Sequence, residues 1–151
     1  MNFRSLCTFA AAVTMLVGGT AAAQQMKLPV IPITIGFYTI QAEVATTEAQ
    51  REEGMMLRKW IGSNEGMLFD LGRPALLECM WMKNTLLPLS VAFIDETGKI
   101  INIEDMQPQT DDQHCSNRSS HVRYALEAPL GWFSQKHIAP GALVEGLPNA
   151  K

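Results

Sequence analysis

Leu89-Ser90-Val91-Ala92-Phe93-Ile94 and Lys99-Ile100-Ile101-Asn102-Ile103 are two β-rich runs parted by the polar quartet Asp95-Glu96-Thr97-Gly98. Short apolar runs about a four-residue turn with glycine predict an antiparallel hairpin. A lone hairpin is marginal in water, so the rest of the chain must supply further strands or a covering helix. Ile33, Ile35 and Phe37 alternate with smaller or polar residues, and Ile40, Ala42 and Val44 continue the period of two beyond Gly36. That pattern predicts one long bent strand or a tight hairpin. Gly66 to Asp70, Val122 to Glu127 and Gly141 to Gly146 add three short strands.

Helical signals are few. Thr46 or Thr47 can cap a helix that is acidic at Glu48 and stops at Gly54, and Gly131 to His137 is a second short candidate. Met55, Met56 and Leu57 form an apolar knot behind the first. The expected fold is mainly β, a sandwich or partly closed barrel with one or two short helices. Residues 107–121 read as a long polar loop that is functional or tied down.

The first 23 residues read as an export signal: Arg4 is the cationic start, Leu6 to Val17 the apolar run, and Ala21-Ala22-Ala23 the small-residue cleavage site. The apolar run is shorter than the roughly 20 residues needed to span a bilayer. Residues 24–32 are expected to be a flexible leader, 33–147 a single β-rich domain and 148–151 a tail. The expected location is the periplasm or the exterior, with no membrane span after cleavage. Removing residues 1–23 from 151 leaves 128, within the size of one domain, and 11 Lys+Arg against 15 Asp+Glu give a formal charge of −4. Such a surface gives no electrostatic case for nucleic acid.

Cys79 and Cys115 are the two cysteines that survive cleavage, and an oxidising compartment favours a disulfide between them. It would close a 37-residue loop. The rival reading, a reactive Cys115 thiolate held by His114, lacks an orienting partner for the histidine.

Lys83, Asn84 and Thr85 offer an ammonium, an amide and a hydroxyl beside Trp81. In a regular strand Met80 and Met82 share one face, Trp81 and Lys83 the other. The bland alternative is that Asn84 and Thr85 bond backbone at a strand end while the Lys83 stem covers Trp81. Methionines 26, 55, 56, 67, 80, 82 and 106 raise the question of Cu(I), yet they show no Met-x-x-Met array and suit core filling. No metal or cofactor is expected. The carboxylates Glu43, Glu78, Asp95 and Glu127 are too scattered to assign an acid/base pair, and Asp95 reads as turn chemistry. There is no positive catalytic motif.

Taken together, Glu53-Gly54-Met55-Met56-Leu57-Arg58, Gly66-Met67-Leu68-Phe69, Trp81-Met82-Lys83-Asn84-Thr85 with Pro88-Leu89, and Leu126-Glu127 followed by Gly131 resemble the domain of unknown function 192 family, also called the uncharacterised ACR family. The resemblance implies a small, mainly β domain, often exported in bacteria, with no established reaction. Ser90 departs from the family pattern, in which an Asp often follows Pro-Leu. The blocks are expected to outline a shared pocket lined by Arg58, Trp81, Lys83, Asn84 and Thr85. The expectation is an envelope protein that binds a small polar ligand or a partner protein there. An uncharacterised hydrolase or transferase and a copper-handling protein are the alternatives.

Overall fold

A computed structural model of the chain describes residues 27–119 and 121–148. The export signal read at residues 1–23 lies outside them, as does the tail beyond Pro148. The first hairpin joins β1 (Val30–Ile35) to β2 (Tyr38–Ala45), in register from Val30 opposite Glu43 to Ile35 opposite Tyr38. Gly36 takes φ +60° at the turn, where a side chain would be strained, and Phe37 is fully exposed at the tip.

β1 starts three residues inside the segment read as a leader. Pro32 is compatible with a strand here because β9 (Val144–Glu145) reaches only Thr34 and Ile35, leaving the Pro32 end of β1 at an edge.

Thr47 caps α1 (Glu48–Glu53) through a capping box with Gln50, and Gly54 ends it at φ +47°. This helix lies in the crossover from β2 to β3 (Glu65–Ala75), which runs parallel to β2. Gly66 packs against β8 (Val122–Pro129) so closely that a Cβ there would lie 2.3 Å from the Glu127 carbonyl oxygen. Glycine is what lets these two strands meet. The Leu89–Ile103 hairpin forms as expected, from β5 (Leu89–Asp95) and β6 (Ile100–Met106), and Asp95 Oδ1 accepts from the backbone of Thr97 and Lys99 in its turn.

The main sheet has the order β6-β5-β8-β3-β2-β1-β9. It curls into a half-barrel whose ends are linked by backbone bonds from Ile100 N–H to Ala142 and from Val144 N–H to Gly98. A separate ribbon pairs β4 (Cys79–Met80) with β7 (His114–Cys115), and α2 (Trp132–Gln135) follows β8.

Both faces of the sheet are covered. One core holds Ile33, Ile40, Leu68, Tyr124, Leu126 and Phe133; the other holds Met55, Met67, Phe69, Met82, Val91 and Phe93. Each such side chain, fully buried, contributes about 1.5–3 kcal/mol. β8 is therefore buried on both faces from Val122 to Ala128, the charged Arg123 and Glu127 included.

Two local expectations need correction. The chain does not stay extended past Met82: Thr85 N–H donates to the Met82 carbonyl (3.0 Å) and Asn84 takes φ +56°, so a turn replaces the regular strand. The apolar knot also splits, Met55 entering the core while Leu57 stays 64% exposed at φ +61°.

Candidate functional site

A cavity of about 710 Å³ opens between α1, the far half of β3 and the segment from Glu78 to Trp81. One wall is fixed from the sequence upward by a chain of bonds. The Cys79–Cys115 disulfide, with Cα atoms 4.0 Å apart, ties β4 to β7. Ser116 N–H donates to the Glu78 carbonyl (2.7 Å) and Glu78 N–H donates to Ser116 Oγ (3.0 Å). Asn102 of β6 then holds the Cys115 carbonyl (3.0 Å) and accepts from Asn117 N–H (2.9 Å). The loop expected to be tied down is tied at Cys115.

Strand register builds the floor. Glu43 faces Met67, Met67 faces Glu127 and Glu127 faces Val91, a single row across β2, β3, β8 and β5. Glu127 is 3% exposed and lines the cavity. Arg58 approaches from beyond α1, but both its terminal nitrogens donate to Glu43 at 2.6 Å, and its buried Nε has no partner among the described residues. Burial raises the Glu127 carboxyl to about 8, against a smaller opposing pull from the Arg58 charge. It is thus mostly neutral at pH 7. Glu78 is also raised by burial, with Arg51 opposing.

The apolar part of the walls comes from Met55, Met56, Phe69, Leu71, Met80 and Trp81. α1 places Glu48, Glu52 and Glu53 at the mouth, and Arg51 is bound to the Thr46 (2.7 Å) and Asp70 (3.1 Å) carbonyls. Arg73 and His121 complete the charged lining.

Of the residues singled out from sequence, Trp81 and Thr85 line the cavity. Arg58 lies outside the lining, in its ion pair with Glu43. Lys83 Nζ lies 5.5 Å from the centre of the Trp81 ring, and the Asn84 backbone carbonyl accepts from Leu57 N–H (2.9 Å) in the turn. His114 sits on β7 opposite Met80, and Met67, Met82 and Met106 are core residues. Among the described residues no group of three or more His, Cys, Asp and Glu is placed to hold a metal ion.

Glu127 is the residue the sequence reading counted and did not assign. Its signal is a carboxylate in a strand whose other residues, Arg123 apart, are apolar. Where the family pattern has Asp, Ser90 is buried, donates to Asp105 of the paired strand and accepts from Gly131 N–H (2.8 Å), so a carboxylate still reaches this spot from β6.

A carboxyl raised this far leaves a stability signature. Between about pH 4.5 and 8 the folded chain holds a proton that the unfolded chain has released, so this group makes stability fall as pH rises through that window. Glu127→Gln removes the titration. Relative to the parent, the variant is expected to gain roughly 3 kcal/mol between pH 5 and pH 8 in urea unfolding, by the linkage of 1.36 kcal/mol per unit. Parallel pH profiles for the two proteins contradict a neutral Glu127.

Residues 31–146 match the family model DUF192, described as uncharacterized ACR. Two solved structures share the fold at a TM-score of 0.74 each. One, from Sinorhizobium meliloti 1021 and named as a candidate transcription regulator, is 31% identical, covering 81% of this chain and 97% of its own. The other, a protein of unknown function from Novosphingobium aromaticivorans DSM 12444, is 26% identical, covering 89% of this chain and 99% of its own. No curated protein gives a significant match.

Proposed function

The chain belongs to the DUF192 family, and from the cavity we propose that it is an exported envelope domain that binds a small polar ligand under Trp81. The observation that carries this reading is Glu127, a 3% exposed residue that lines the cavity and whose carboxyl burial raises to about 8. Burial disfavours the ionised carboxylate, and a ligand that brings a complementary group to it offsets that cost on binding. About 710 Å³ is the size of a small-molecule site.

Each of the four family blocks contributes to the lining from a separate part of the chain: Met55 and Met56, Phe69, Trp81 with Thr85, and Glu127. Export is supported by the charged, apolar and small-residue order of residues 1–23 and by the disulfide, which suits an oxidising compartment.

The test is a thermal-shift screen of the oxidised chain from Gln24 onward against amino acids, sugars, amines, metal ions and peptidoglycan fragments. A ligand that binds the folded state alone raises its midpoint by mass action. The expected result is a concentration-dependent rise that Trp81→Ala and Glu127→Gln both weaken. A rise in which neither variant differs from the parent, or no rise with any compound, overturns the cavity as the site.

A further inference from the structure

We propose that the ligand is an organic ammonium ion, with Glu127 as its counter-ion and the Trp81 ring beside its positively charged end. The inference rests on the cavity being a binding site and adds the chemical class of what enters it.

Charge selects the sign. α1 brings Glu48, Glu52 and Glu53 to the mouth, the β4 wall brings Glu78, and β8 brings Glu127. Of the cations near them, Arg58 is paired with Glu43, whereas Arg51 bonds two neutral backbone carbonyls and keeps its charge. Arg73 of β3 and His121 before β8 remain on the lining. With Glu127 mostly neutral at pH 7, Glu48, Glu52, Glu53 and Glu78 still outnumber Arg51 and Arg73 on the lining, which favours a cation over an anion.

The apolar walls then select the kind of cation. Among the described residues no group of three or more His, Cys, Asp and Glu is placed to hold a metal ion, and the cavity that Glu127 lines has Met55, Phe69, Met80 and Trp81 on its apolar part. Thioethers, a phenyl ring and an indole suit an ammonium that carries carbon groups. Trp81 already attracts one ammonium, that of Lys83 at 5.5 Å from the ring centre. Its side chain is 48% exposed and also lines the cavity.

The proton balance is explicit. A quaternary ammonium binds the ionised carboxyl, so a neutral Glu127 releases one proton to solvent for each cation bound. With its carboxyl near 8, affinity is expected to rise close to tenfold for each unit by which pH increases toward 8 and to level above it.

The experiment is calorimetric titration of the oxidised chain from Gln24 onward with choline, butylammonium and the uncharged choline isostere 3,3-dimethylbutan-1-ol, at pH 6 and pH 9. Choline keeps its charge throughout, so its pH response reports the protein. The proposal expects choline to bind at least tenfold more tightly at pH 9 than at pH 6. It also expects the binding enthalpy to shift with buffer ionisation heat, and the neutral isostere to bind at least tenfold more weakly than choline at pH 9. Glu127→Gln should remove most of the affinity and all of the pH response while remaining folded by circular dichroism.

Equal binding of choline and its neutral isostere overturns the proposal, as does choline binding that ignores pH or Glu127→Gln. If neither ammonium binds while a sugar or a carboxylate from the screen does, the ammonium assignment falls and the cavity stands. Silence from every compound removes both.

Discussion

Cys79→Ser/Cys115→Ser is expected to unfold about 4 kcal/mol more readily than the oxidised parent, which is what the chain-entropy account gives for a bond between residues 36 apart. That is a large share of the 5–15 kcal/mol typical of a domain. The loss should be concentrated at the cavity. β4 and β7 are two residues each and pair only with one another, so without the covalent tie few main-chain bonds keep Glu78 to Trp81 in place. Urea unfolding of the oxidised parent, the reduced parent and the double variant measures the cost. Amide exchange of residues 78–82 and 114–116 shows whether the wall loosens before the main sheet. A difference below about 1 kcal/mol would mean that Ser116 and Asn102 hold the wall without the disulfide.

Removing one partner of the buried pair Asp70 and Arg123 is expected to cost about 3–5 kcal/mol. Asp70 is 6% exposed and Arg123 8%. They meet where the β3–β8 register shifts after Asp70, with the Arg123 guanidinium donating to Asp70 Oδ1 and lying 4.4 Å over the Tyr124 ring. In Arg123→Met the Asp70 carboxylate keeps the Gly72 N–H, 2.7 Å from Oδ1, and loses its counter-charge. In Asp70→Leu the guanidinium is stranded in the same way. The double variant, apolar on both sides, should be less damaged than the sum of the singles, because neither charge is then left alone. A thermodynamic cycle in urea decides the matter; additive losses, or single losses under 1 kcal/mol, would show that the pair adds nothing beyond packing.

Local patterns were legible where one physical rule acted alone. The Asp95–Gly98 turn, the Thr47 cap, the Gly54 stop and the strands at Gly66 and Val122 follow from turn chemistry, capping and alternation, all of which work within a few residues. The turn at Asn84 defeated alternation because a left-handed residue breaks the period of two, and its bonds go to Leu57 and Met82, one of them 27 positions away. Of the site, Trp81 and Thr85 were legible as unusual residues in a specific block, whereas Arg58, Lys83 and Asn84 serve the lining indirectly.

The sequence by itself determined a mainly β domain, its hairpins and caps, its family and its pair of cysteines, since composition, spacing and short-range periodicity carry those. Tertiary structure alone decided that β2 and β3 run parallel, that the sheet curls with both faces covered, and that Glu127 lies at the bottom of a cavity. The reason is physical. Whether a carboxyl is solvated, paired or stranded depends on which strands flank it and what closes over them, and for Glu127 those groups come from Arg58, Phe69 and Trp81, more than 40 residues away along the chain.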